Sequence, residues 1–272
     1  MMKRKQKKLQ NMASFEEAAI SFDVLVFGLK KVKNMSKTQV QDKPIGQELR
    51  ATLSTPWPMD DEALLERLYL RRSGVLTNAA FVLFASQTRR RSPNVFVRII
   101  SYAGDKTGPL ANDVILDGPA VRTLYEAVSI IQQRTDFSAR FKKDQLERED
   151  KPAYAVYALR ESLVNAITHR SYDEVGGCIR VEIYPDRLIV TNPGRLPENW
   201  TPRNLKIEHK SIPFNPDIAG VFFLRKLMDQ LGVGTQRVIW ECKQLGAKAP
   251  SWRVEGGIES VTLFRAPEPA AA

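Results

Sequence analysis

The stretch CIRVEIYPDRLIVTNPG, residues 178–194, decides the fold class. Ile179, Val181 and Ile183 alternate with Arg180, Glu182 and Tyr184, the period of a strand with one buried face. Pro185-Asp186 supplies a turn, and RLIV returns as a second strand, so the stretch is an antiparallel hairpin. Upstream, YAVYALRESLVNAITH (154–169) has the spacing of a helix. Downstream, PDIAGVFFLRKLMDQLG (216–232) and TQRVIWECKQLG (235–246) also read as helices. SWRVEGGIESVTLFR (251–265) reads as a second hairpin turning at Gly256-Gly257. Helices interleaved with hairpins predict an α+β domain with a mixed, mostly antiparallel sheet.

Further out the pattern loosens. STPWPMDDEALLERLYL (54–70) starts a helix, because Pro58 and the acids Asp60, Asp61 and Glu62 suit its positive end. GVLTNAAFVLFAS (74–86) reads as a core element and NVFVRIISYAG (94–104) as a strand. Between them lie Arg89, Arg90 and Arg91, which read first as a solvated loop tip and second as a phosphate contact. GPAVRTLYEAVSIIQQRT (118–135) has Val121, Leu124, Val128 and Ile131 at helical spacing. SARFKKDQLEREDKPAY (138–154) is charged and breaks the periodicity, as expected of a linker or surface excursion. FDVLVFGL (22–29) has strand composition, but the polar run after it makes residues 1–55 a basic arm or the remnant of a further domain. The expected division is a 1–55 arm, a smaller α/β region over 56–150, the main domain over 151–266 and a tail over 267–272.

Composition sets the broad class. A 43% hydrophobic and 26% charged chain of 272 residues is globular, with no run approaching the ~20 apolar residues of a membrane span. The formal charge is +10, and residues 1–50 hold eleven Lys/Arg against five Asp/Glu. That excess suits either an acidic partner such as DNA or simple solubility. Cys178 and Cys242 lie too far apart for a metal or redox motif. The basic start MMKRKQKKLQ lacks the apolar core of a signal peptide, so the expected location is cytoplasmic, with no membrane partner.

Within the helix 156–169, Val156, Leu159, Leu163 and Ile167 form one side, and Glu161, Asn165 and His169 lie roughly opposite. Two readings of that polar stripe are open. It can be the exposed face of an amphipathic helix. It can also be chemical: an Asn oxygen can hold Mg²⁺ while phosphates complete the shell, and a Glu one turn earlier can orient or deprotonate a water. A zinc site is disfavoured, because His169 and His209 are the only histidines and no HExxH pattern occurs. The order of the downstream motifs favours chemistry. Asn192 and Gly194 stand at a strand end, and Gly232, Gly234 and Thr235 enter a helix where backbone N–H groups can face an anion.

This order of ExxxN helix, strand-end NxG and GxGT resembles the nucleotide-binding boxes of the GHKL superfamily, which includes gyrase, histidine kinase and MutL proteins. ALRESLVNAITHRSY, VEIYPDRLIVTNPGRLP and SIPFNPDIAGVFFLRKLMDQLGVGTQRVIWECKQLG resemble one branch of it more closely. That branch is the ATP-binding C-terminal region of bacterial Schlafen/Alba-type transcriptional regulators, often labelled RecG-like helicases, and the likeness covers about residues 58–265. The resemblance implies a GHKL (Bergerat-type) α/β sandwich that binds ATP and Mg²⁺. It implies that Asn165 ligates Mg²⁺, that Glu161 activates water, and that Gly194 lets the base approach. It places Gly232, Gly234 and Thr235 at the phosphates. Asn192 stands where the superfamily usually has an Asp bonding the adenine amino group. The branch reads Asp where this chain has Ser171, and often a second glycine where it has Arg195. His169 and Arg170 match its HR pair, with no role implied beyond packing at the helix end.

The expected function is an ATP·Mg-binding module of a transcriptional regulator, with ATP hydrolysis weak or absent and helicase activity unsupported, since no GxxxxGK[ST] loop occurs. Its expected partners are ATP, DNA, and either a second copy or another chain supplying a DNA-binding domain. The competing reading is a DNA-binding or protein-interaction module with a degenerate nucleotide site.

Overall fold

The computed structural model describes residues 65–90, 92–135, 138–141, 148–172, 177–228 and 232–267. The expected arm, the strand at 22–29 and most of the helix at 54–70 lie outside them. Six strands form one sheet in the order β4 (Leu110–Leu116), β3 (Val97–Tyr102), β7 (Ile179–Ile183), β8 (Arg187–Pro193), β10 (Ile258–Phe264) and β9 (Ser251–Glu255). All neighbours are antiparallel except β3 and β7. The sheet is therefore mixed and mostly antiparallel within an α+β fold, as the hairpins predict.

Strand register shows which face is buried. Val114, Ile99, Val181, Val190, Val261 and Trp252 stand side by side in one transverse row across all six strands. Side chains in such a row share one face. Helices α2 (Ala120–Arg134), α3 (Val156–His169), α4 (Pro216–Leu224) and α5 (Gly234–Gln244) bury their apolar residues with this face in one core. The opposite face is polar, with Arg98 Nε donating to Asp113 Oδ1 at 3.0 Å. On the same face Tyr102 stacks on Tyr184 at 4.8 Å, and the Tyr102 hydroxyl donates to Glu182 at 3.2 Å.

Three features differ from expectation. The strand β4 was not expected: LANDVIL is an edge strand whose side chains are mostly exposed, so its sequence lacks apolar alternation. The charged stretch expected as a linker or surface excursion contains a two-stranded ribbon, β5 (Ser138–Phe141) paired with β6 (Arg148–Lys151). Finally, β3 and β4 belong to the same sheet as the later hairpins, so the sheet continues across the boundary expected near residue 150. The short strands β1 (Arg71–Arg72) and β2 (Val75–Leu76) and helix α1 (Asn78–Phe84) precede it. Thr77 caps α1 by accepting a hydrogen bond from the Ala80 N–H at 3.3 Å. Among the described residues no helix is long and apolar enough to cross a membrane.

Candidate functional site

Helix α3 is the centre of the site. Leu159, Leu163 and Ile167 enter the core, but the polar side is not a solvent face, since Glu161 is only 5% exposed. Asn165 Nδ2 donates to Glu161 Oε1 at 3.3 Å, which leaves the Asn165 side-chain oxygen available as an acceptor. The amide thus orients the carboxylate one turn earlier.

Glu161, Asn165, Asn192, Gly232, Gly234 and Thr235 all line one cleft between α3, the start of α5 and the ends of β8 and β10. Gly194 does not line it. A Cβ there would lie 2.7 Å from Asn192 Nδ2 and 2.8 Å from the His169 carbonyl oxygen, so glycine lets the end of β8 close against the end of α3. The Gly194 N–H donates to Gly257 O at 2.9 Å, tying the two hairpins together.

The other two glycines are equally constrained. A Cβ on Gly234 would collide with Glu161 Oε1, so the carboxylate lies directly against the first turn of α5. There the unpaired N–H groups favour negative charge. Gly232 has φ +71°, and a Cβ would collide with the His209 carbonyl oxygen. The segment 194–215 is laid over the cleft: Leu205 is buried and the Trp200 ring meets His209 edge-on at 5.1 Å.

Two polar atoms in the cleft, Asn192 Nδ2 and Thr235 Oγ1, are buried with no hydrogen-bond partner among the described residues. Buried polar groups are normally satisfied, so these two mark places where a ligand could complete the bonding. His169 also lines the cleft, and burial, followed by the influence of His209, lowers its pKa to about 4. It is a neutral imidazole at physiological pH. Among the described residues no group of three or more His, Cys, Asp and Glu could hold a metal. A cation at Asn165 would therefore take its remaining ligands from phosphate and water, the usual pattern for Mg²⁺.

Sequence reading missed several cleft residues, among them Trp200, Lys210, Trp252 and Glu259. Glu259 had a usable signal. Counting back by two from the buried Leu263 and Val261 places it on the same inward face. Burial raises its pKa to about 7. Arg170, by contrast, is structural: it is 1% exposed, and its Nη2 donates to Asn94 O at 3.0 Å and Gly177 O at 2.9 Å.

No curated protein matches the chain. The crystal structure of the DIP2311 protein from Corynebacterium diphtheriae is similar in fold, with a TM-score of 0.64 at 22% identity. The match covers 78% of this chain and 42% of that one, so the chain spans less than half the length of that protein. Residues 176–263 match the family model HATPase_c_4, described as "Putative ATP-dependent DNA helicase recG C-terminal". The matched stretch contains Asn192, Gly194, Gly232, Gly234 and Thr235 but stops short of Glu161 and Asn165. Residues 176–263 are thus similar to that RecG C-terminal, HATPase-type family.

Proposed function

We propose that the cleft binds ATP together with Mg²⁺, and that the protein is the nucleotide-binding module of a transcriptional regulator. One observation carries this: Glu161, Asn165, Asn192, Gly234 and Thr235 converge on one cleft in which the Asn192 and Thr235 side chains keep unpaired buried atoms. Asn165 holds the cation through its side-chain oxygen. Gly232, Gly234 and Thr235 receive the phosphates, and Asn192 faces the base. Glu161, held by Asn165, is the side chain placed to orient a water. Bound nucleotide would supply an electrophilic terminal phosphate. Turnover by this chain is weak at most, because anionic phosphates and the Glu161 carboxylate compete for the same first turn of α5.

The regulator role rests on the sequence resemblance, and with it DNA and a second chain as partners. A DNA-binding or interaction module without nucleotide response is the other reading. It draws on the +10 charge and on the exposed Arg89 and Arg90. The deciding experiment titrates fluorescent ATP with Mg²⁺ against wild type and Asn165→Ala. Saturable binding that falls at least ~10-fold in the variant is expected, as for loss of a metal-orienting group. A folded wild type that binds no ATP sinks the reading, and salt-dependent DNA binding without ATP response would support the alternative.

A further inference from the structure

The inward face of the sheet is mostly apolar, and its polar residues stand at the Ser101–Asn112 edge and in the cleft. Beside the row of Val114, Ile99, Val181, Val190, Val261 and Trp252 runs a second inward row. It begins with Leu116, Val97 and Ile179, which are all buried. On β8 and β10 the same row becomes Asn192 and Glu259, which stand directly opposite each other. A core-facing row that changes from aliphatic to amide and carboxyl only where it enters the cleft is chemically specific. Exposure does not explain the amide, since Asn192 is 4% exposed, and Glu259 is only partly exposed.

Neither side chain spends its polarity on the protein. Asn192 Nδ2 is buried without a partner among the described residues. Glu259 makes no side-chain hydrogen bond or ion pair among the described residues, although Lys210, His169 and His209 line the same cleft. Burial, with no opposing charge to offset it, raises the pKa of its carboxyl to about 7. A carboxyl group left in such surroundings has donor and acceptor capacity with nothing in the protein to use it.

We propose that Glu259 is a base-reading residue: its carboxyl group accepts a hydrogen bond from the exocyclic amine of a purine held beside Asn192. Adenine presents that amine next to a ring nitrogen that accepts. A neutral carboxyl group offers the matching acceptor and donor side by side, and a carboxamide offers the same pair. The acidic group that distinguishes adenine from an unsubstituted purine therefore sits on β10, while β8 contributes an amide. Buried groups poised to bond a ligand reject an analogue that leaves them unpaired, which makes the pair a selectivity device as well as an anchor.

This inference rests on the nucleotide-binding reading, and one experiment separates the two. Binding of ATP and of purine riboside triphosphate, which lacks the amine, is measured for wild type, Glu259→Leu and Glu259→Gln. Wild type is expected to favour ATP by about 10-fold or more. Glu259→Leu should weaken ATP more than the purine analogue and bring the ratio close to one, and Glu259→Gln should keep most of the preference. An unchanged ratio in Glu259→Leu overturns the proposal. So does a wild type that binds both nucleotides saturably and equally, a result that needs no variant to fold. A wild type that binds neither nucleotide overturns the nucleotide-binding reading itself, and this inference with it.

Discussion

Gly234 carries the tightest requirement at the scale of single residues. An alanine within a helix normally stabilises it relative to glycine by up to ~1 kcal/mol. Here the added methyl would enter the space of the Glu161 carboxylate, which is itself held by Asn165. The clash should reverse the sign. Gly234→Ala is expected to lower stability by roughly 1–3 kcal/mol in urea unfolding, the range for overpacking. His169 makes a second prediction. Its folded pKa of about 4 lies below the ordinary value of 6.5, so the unfolded chain binds the proton more readily. The native state is fully favoured above about 6.5 and loses stability as pH falls towards 4. The expected loss is of order 2–3 kcal/mol. Urea midpoints of wild type should fall across that window, and those of His169→Gln should fall by less.

Between elements, Asn215 is the joint. It is the cap residue of α4, and its side-chain nitrogen donates to Thr168 O at 3.0 Å and Arg170 O at 2.7 Å. Its own N–H also donates to Thr168 O, at 3.0 Å. The free carbonyls at the end of α3 are thereby closed by the residue that ends the segment over the cleft. Asn215→Ala should cost about 1–2 kcal/mol in urea unfolding, for two lost side-chain bonds. It should also speed proteolytic cleavage within 194–215, while Arg170 keeps its own contacts.

Across the whole molecule, the legibility of each element in the sequence depends on how that element is buried. The hairpins could be read because one face is buried and the apolar residues repeat on its period, and α3 because Leu159, Leu163 and Ile167 keep helical spacing although the helix is buried on both sides. The strand β4 could not, because an exposed edge puts little constraint on side chains. The Ser138–Lys151 ribbon was hidden by its charge. Asn192 and the glycines stood out as unusual residue types at element ends. Glu259 did not, since an acidic residue in a strand suggests the solvent face until register fixes which way it points. Gly194 illustrates a different limit. Its position could be predicted, but whether the space beside it belonged to a ligand or to the chain depended on how α3 ends.

The one parallel pairing in the sheet has its own consequence. Strand β7 lies between β8, its hairpin partner, and β3, which the chain lays down some eighty residues earlier. The stretch recognisable by family, 176–263, therefore ends at a seam through the middle of the sheet. Cut out alone, it would carry β7 as a raw edge, with unpaired N–H and C=O groups inviting any passing strand, and would lack the helix that closes the cleft. The unit that can be recognised is smaller than the unit that can stand by itself.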